Sequence, residues 1–267
     1  MKKISQFLLG LLSIAGVAVA LPAAANEGAA LDRAPVNVRD VESLQRGAQT
    51  FANYCLSCHG AQAMRYNRLT DLGLSEQQIK DNLMFASDKV GEVMKVSMQS
   101  KDAKTWLGAP PPDLSLIARS RGADWLYTYM RSFYRDSSRP TGWNNAVFDK
   151  VGMPHVLWQL QGDLELQTGE AKGGAVVRSW EVAESGKHEE HRLVLTRAGD
   201  LTRLVDGKAN TLDYDRKVGD LVNYLVWMGE PSQVLRERIG YGVLLFLVFL
   251  LLPLVYFLKQ EYWKEVH

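Results

Sequence analysis

Apolar and small positions at Val41, Leu44, Ala48, Phe51 and Ala52 recur every three or four residues and predict an amphipathic helix over 41–54. A second helix is expected from Ser75 to Phe85, because Ser75 with Gln78 three residues on has the form of a capping box. Pro110-Pro111-Pro112 stops regular structure, after which Asp113 or Ser115 is placed to cap a short helix running to Arg119. The aromatic-rich stretch Ala123 to Tyr134 predicts a third helix, and a Gly/Asn/Pro-containing loop follows from Asp136 to Pro154. Between Leu157 and Leu212 the period changes to two, as in VLWQLQGDLEL and HRLVLTRAGDL, so short strands or a hairpin are expected there. Helical spacing returns from Asp215 to Met228, and Gly229-Glu230-Pro231 separates that helix from the C-terminal apolar run. No internal repeat or low-complexity tract is present.

Two uninterrupted apolar runs bracket this pattern. The first follows Lys2 and Lys3, extends from Phe7 to Ala20 and ends in Ala23-Ala24-Ala25, the form of an export leader cleaved after residue 25. The second, Ile239 to Leu258, contains no charged residue, and twenty helical residues rise about 30 Å, the thickness of a bilayer core. It reads as a transmembrane helix, with Tyr241, Tyr256, Tyr262 and Trp263 at interfacial positions and a kink expected at Pro253. Basic residues flank both ends of this run, so the leader decides orientation. The expected organisation is a signal peptide over 1–25, an exported domain over 26–235 with an insertion at about 162–205, an anchor over 236–258 and a cytoplasmic tail over 259–267.

Composition narrows the function. The chain has 267 residues with 31 Lys+Arg against 30 Asp+Glu, and this balance excludes a nucleic-acid binder that works by neutralising phosphates. The only cysteines, Cys55 and Cys58, are too close together for a bridge between them to constrain a domain. They belong to Cys55-Leu56-Ser57-Cys58-His59, a C-x-x-C-H sequence in which two thiols add to the two vinyl groups of a haem and the histidine ligates its iron. A thiol-disulfide oxidoreductase also uses C-x-x-C, but its pair opens a helix after a buried strand, whereas here a helix precedes it. A zinc site requires a fourth ligand, and His155, His188, His191 and His267 supply no second half with the usual spacing. For the other face of the iron a methionine sulfur is expected. Among the methionines Met153 stands apart, in a loop between Gly152 and Pro154, with His155 as the rival ligand.

The exported part and the tail together resemble cytochrome c1, the haem subunit of the bacterial cytochrome bc1 complex, respiratory complex III. The resemblance runs through Arg46-Gly47, Cys55 to His59, Pro111-Pro112-Asp113-Leu114-Ser115 with Arg119 and Arg121, and Arg139 to Phe148. It continues through Gly152-Met153-Pro154, Asp206-Gly207, Trp227 with Glu230-Pro231, and Leu252-Pro253-Leu254-Val255-Tyr256. The fold it implies is mainly α: a cytochrome c-like haem domain with a small β-like insertion and one C-terminal transmembrane helix. It also implies one covalently bound haem c, with Cys55 and Cys58 as thioether residues and His59 and Met153 as axial ligands. Pro111 and Pro112 would form the haem edge, a backbone carbonyl there fixing the His59 ring. Arg139 would face a haem propionate; read without the family, it is an ordinary solvated loop arginine.

The implied function is electron transfer in a quinol:cytochrome c reductase, from the Rieske iron-sulfur protein to a soluble or tethered cytochrome c, without catalytic chemistry by this subunit alone. Cytochrome b and membrane lipid would be partners and nucleic acid would not. The implied location is the bacterial inner membrane, crossed once, with the haem domain in the periplasm. Alternative readings are a haem subunit of a nitric oxide reductase or oxidase, and a membrane-tethered thiol oxidoreductase. The stretch from about Gly162 to Val205 is longer than the family's usual link. It is acidic up to residue 190, which suggests either a docking face for a basic cytochrome c or a solvated hairpin.

Overall fold

The computed structural model describes residues 30–184 and 187–266; the leader expected over 1–25 and the final residue lie outside the described residues. Along the chain come α1 (Val41–Tyr54), β1 (Ala61–Arg65), a 3-10 turn (Tyr66–Leu72), α2 (Glu76–Asn82), β2 (Val93–Met94), α3 (Ser100–Leu107), α4 (Ile117–Arg121) and α5 (Ala123–Met130). Then follow β3 (Phe133–Arg135), β4 (Trp143–Asn145), α6 (Trp158–Gln161), β5 (Gly162–Thr168), β6 (Ala175–Glu184), β7 (Lys187–Ala198), β8 (Arg203–Val205) and β9 (Lys208–Asn210). The chain ends in α7 (Leu212–Gly229), α8 (Gln233–Phe246), a π turn (Leu247–Leu251) and α9 (Leu252–Val266).

The head is organised by the crossing of α1 and α7. Asp40 caps α1 by accepting from Ser43 N–H at 3.0 Å, and the helix buries Leu44, Gly47, Ala48, Phe51 and Ala52; of the face its spacing predicts, only Val41 in the first turn is exposed. At Gly47 the two backbones touch: a Cβ there would lie 2.1 Å from the Asp220 carbonyl oxygen and 2.6 Å from Tyr224 Cβ. Arg46 grips the Asp220 carboxylate with two bonds of 2.6 and 3.1 Å, and the Phe51 and Tyr224 rings meet at 5.6 Å. Asn223, fully buried on α7, donates to the Asn37 carbonyl and Ser43 Oγ and accepts from Asn37 N–H, so its amide is satisfied inside the core.

The third predicted helix ends at Met130 instead of Tyr134. Its last carbonyls are claimed by tertiary donors, Asn145 Nδ2 on Tyr129 O and the Tyr214 hydroxyl on Met130 O, both at 2.7 Å. Released from the helix, Phe133–Arg135 pairs antiparallel with Trp143–Asn145, inside the segment read as loop. The second helix stops at Asn82, three residues early, and its capping box between Ser75 and Gln78 forms as expected. The short helix begins at Ile117 and has no side-chain cap, because Asp113 and Ser115 bond elsewhere. The unexpected helix α3 buries only Ala103, so no apolar stripe announces it.

Strand structure is wider than one insertion. Besides the ladders β1–β2 and β3–β4 in the head, the segment 162–205 forms a three-stranded antiparallel sheet in the order β5-β7-β6, and β8–β9 is a separate hairpin. Leu164, Leu193 and Leu195 form the sheet's small core. Gly162 is required where α6 turns into β5: its φ is +90° and a Cβ would lie 2.0 Å from Arg197 O. The sheet is not a continuous acidic face. Asp163 is held between Arg135 and Arg197, and Arg192 neutralises Glu190.

Gln233–Glu265 is one helix long and apolar enough to cross a membrane, and its apolar side chains are exposed. The disturbance expected at Pro253 takes the form of the π turn just before it, which accommodates the missing N–H.

Gly47→Ala should force α1 and α7 apart and cost about 3 kcal/mol in overpacking. The check is a denaturant titration of the haem-loaded protein, and a loss below about 0.5 kcal/mol would contradict backbone contact at the crossing.

Candidate functional site

The C-x-x-C-H segment continues the last turn of α1. Cys55 N–H and Leu56 N–H both reach back to Phe51 O, and His59 N–H bonds Cys55 O at 2.8 Å, which coils the five residues tightly against the helix end. Cys55 is buried, Cys58 is half-buried, and the two thiols are not bonded to each other. Burial, with Cys58 close by, pushes the Cys55 thiol up to about 12. A disulfide oxidoreductase needs the opposite, a thiolate stabilised at neutral pH, so the environment of Cys55 argues against that reading. Among the described residues no three His, Cys, Asp or Glu side chains gather as a metal site.

His59 is almost fully buried, and its Nδ1 lies 2.7 Å from the Pro112 carbonyl. A carbonyl can only accept, so Nδ1 carries the proton and Nε2 presents a bare lone pair. Burial lowers the imidazole pKa and the Pro112 bond partly opposes this; the ring is kept neutral, as a metal ligand must be.

The carbonyl that orients His59 is fixed by lacing between residues 60–63 and 112–115. Leu114 N–H bonds Gly60 O, Asp113 Oδ2 accepts from Gln62 N–H, Asp113 Oδ1 accepts from Ser115 N–H, and Ser115 Oγ accepts from Ala63 N–H. Asp113 and Ser115, expected to cap a helix, instead position Pro112. The same segment reaches the other ligand candidate, since a Cβ on Gly152 would lie 3.1 Å from Leu107 O. Residues 107–112 therefore run from the loop carrying Met153 to the ring of His59. Gly108, Ala109, Pro110 and Pro112 are exposed along this path, and Pro111 is half-buried.

Met153 is half-buried, and its Sδ accepts a hydrogen bond from the Tyr129 hydroxyl at 3.5 Å. Its rival His155 is fully buried, stacked on Phe133 at 4.8 Å and edge-on to Trp143 at 5.1 Å. Desolvation drives its pKa down to about 3, so it is a neutral aromatic component of the core.

The loop between β3 and Met153 is built by amides that sequence reasoning did not single out. Asn144 Oδ1 accepts from Lys150 N–H, Asn145 Oδ1 accepts from Val147 and Phe148 N–H, and Asn145 Nδ2 ties the loop to α5. Adjacent Asn residues beside a tryptophan were the only sequence signal, and they read as ordinary turn residues. Arg139 lies in this loop. One of its terminal nitrogens donates to Lys150 O at 3.1 Å, but its buried Nε has no hydrogen-bond partner among the described residues.

The donor set fits haem c. Two free thiols stand beside an imidazole whose Nε2 is uncommitted, a thioether lies in a neighbouring loop, and a buried guanidinium N–H lacks an acceptor that a propionate would supply.

Residues 32–266 match the model of the cytochrome c1 family. The chain is 44% identical to cytochrome c1 of Allochromatium vinosum, over 91% of this chain and 93% of that protein. It is 48% identical to a protein of Nitrosomonas europaea named ammonia monooxygenase gamma subunit, over 89% of each chain. With cytochrome c1 of Rhodospirillum rubrum the identity is 29%, over 85% of this chain and 83% of the relative. With the free thiol pair, the oriented histidine and the C-terminal apolar helix already in place, a match spanning nearly all the described residues leads to one conclusion: the chain belongs to the cytochrome c1 family.

Proposed function

We propose that this chain takes electrons from the Rieske protein and passes them to a soluble or membrane-tethered cytochrome c, with Cys55, Cys58, His59 and Met153 holding the haem. Membership of the cytochrome c1 family makes the chain a haem electron-transfer subunit of the bc1 oxidoreductase complex, carrying covalently attached haem c and not catalytic alone. When bound, haem c supplies a one-electron iron couple. The observation that carries the residue assignment is the 2.7 Å contact of His59 Nδ1 with the Pro112 carbonyl, four residues beyond a cysteine that burial keeps as a thiol.

Each part of the site has a task. His59 is held neutral and oriented by Pro112. Met153 would supply the second iron ligand, because its sulfur lies in a half-open loop while His155 is enclosed by aromatic rings. Arg139 pairs with a propionate, which satisfies its Nε. The exposed run Gly108-Ala109-Pro110, with no charged or bulky side chain, lets a partner protein approach closely. The helix Gln233–Glu265 anchors the head in the inner membrane, with the head on the periplasmic side and Lys259 to His267 in the cytoplasm. There it packs against cytochrome b and lipid. A relative named cytochrome b/c1, from Bradyrhizobium diazoefficiens, matches this chain over 40% of its length, which supports that neighbour. In the insertion, Glu165, Glu170, Glu181 and Glu189 are exposed, and these acids keep open its use as a steering surface.

The name of the Nitrosomonas europaea relative raises a second reading, a subunit of an ammonia monooxygenase. Solubilised membranes decide between the two. Copurification with cytochrome b and a Rieske protein supports the first, and copurification with monooxygenase subunits in their place overturns it.

Denatured wild-type protein should give a c-type pyridine haemochrome spectrum. Cys55→Ala with Cys58→Ala should abolish covalent haem, and a colourless wild type would refute the assignment. Arg139→Gln should lower the midpoint potential of the haem while the ligand-field spectrum stays intact, since loss of a nearby positive charge disfavours the added electron. An unchanged potential would remove Arg139 from the haem environment.

A further inference from the structure

Tyr129 is absent from the set of residues that the motif and the family resemblance single out, yet its hydroxyl donates to Met153 Sδ at 3.5 Å. We propose that Tyr129 is a positioning residue that holds the Met153 sulfur in place and raises the midpoint potential of the haem. The proposal rests on the reading of Met153 as the second axial ligand.

The argument starts with what fixes the phenol. Tyr129 lies near the end of α5 (Ala123–Met130), one turn after Trp125, and the two rings stack at 4.7 Å with 12° between their planes. Phe133 meets the Tyr129 ring edge-on at 5.0 Å. The Tyr129 carbonyl is held by Asn145 Nδ2 at 2.7 Å. Trp125 is in turn covered by the Arg121 guanidinium, 5.1 Å from the ring centroid, with Phe148 at its edge at 6.5 Å. None of these contacts involves Met153. The phenol is therefore placed by Trp125, Phe133 and the Asn145 amide, without any help from the Met153 side chain itself.

The electronic consequence follows from the thioether. Its sulfur has two lone pairs, and a hydrogen bond to one leaves the other free for iron. The bond withdraws electron density from the sulfur and makes it a weaker donor. Ferric iron needs that donation more than ferrous iron does, so the reduced form is favoured and the potential rises. The same bond resists rotation of the sulfur away from the iron when an external ligand competes for the position.

Tyr129→Phe deletes one oxygen and keeps the ring in its stack, which makes it the direct test in the haem-loaded full chain. The midpoint potential should fall relative to wild type, and imidazole should displace the sulfur at about fivefold lower concentration, the equivalent of one neutral hydrogen bond. Both quantities are read from visible spectra, the second through loss of the far-red sulfur-to-iron charge-transfer band. An unchanged potential together with an unchanged imidazole titration overturns the proposal. Met153→Leu tests the underlying assignment separately: loss of the band supports it, and retention overturns the ligand assignment. If Tyr129→Phe fails to accumulate, proton NMR of the ferrous wild type decides. Cross-relaxation between the Tyr129 hydroxyl proton and the Met153 methyl is expected, and its absence with both resonances observed overturns the proposal.

Discussion

Contact between the backbones of α1 and α7 at Gly47 is the constraint on which the head depends. With no side chain at 47, the helices approach until Asp220 O would overlap any added Cβ, and Arg46, Phe51, Asn223 and Tyr224 lock the crossing around that point. Because the coil of Cys55 to His59 continues α1, the crossing sets the place and direction in which both thiols and the imidazole emerge. A loosened crossing would move the whole attachment segment as one piece.

The rest of the site is irregular chain, and irregular chain near a buried cofactor must find partners for its polar groups. The protein meets this need with short side chains instead of further secondary structure. Asp113 and Ser115 lace the Pro112 segment to residues 60–63, while Asn144 and Asn145 fold the loop ahead of Met153 onto itself and onto α5. Each ligand candidate is then oriented by a neighbour outside the motif: His59 by a proline carbonyl, Met153 by a tyrosine hydroxyl. On the proposed assignment such contacts would determine ligand geometry and donor strength together, and would tie the properties of the haem iron to the packing of α5 and the Pro112 segment.

The sheet β5-β7-β6 is added to this head without entering the site. Its core is three leucines, and it is attached through charged contacts: Asp163 between Arg135 and Arg197, and Arg178 with Asp32, an acid that also binds Arg131 beside Asp215 on α7. An acidic run in the sequence is thereby partly neutralised by arginines far away or later in the chain, and a count of charges along the chain cannot show that.

What the sequence determined by itself is local in origin. The spacing of α1, the capping box at Ser75, the alternation in the insertion, the uncharged apolar run and the C-x-x-C-H segment each depend on residues within a few positions of one another, and each appears where expected. What only the tertiary structure decided involves partners distant in sequence. The end of α5 at Met130 follows from donors at Asn145 and Tyr214; the roles of Asp113 and Ser115 follow from N–H groups at Gln62 and Ala63. The contrast between Met153 and His155 follows in the same way, since two residues in one loop are separated by what folds against them. A hydroxyl from α5 meets the sulfur and a pair of aromatic rings encloses the imidazole. Periodicity records which face of a segment is buried, but not which polar group will be waiting there.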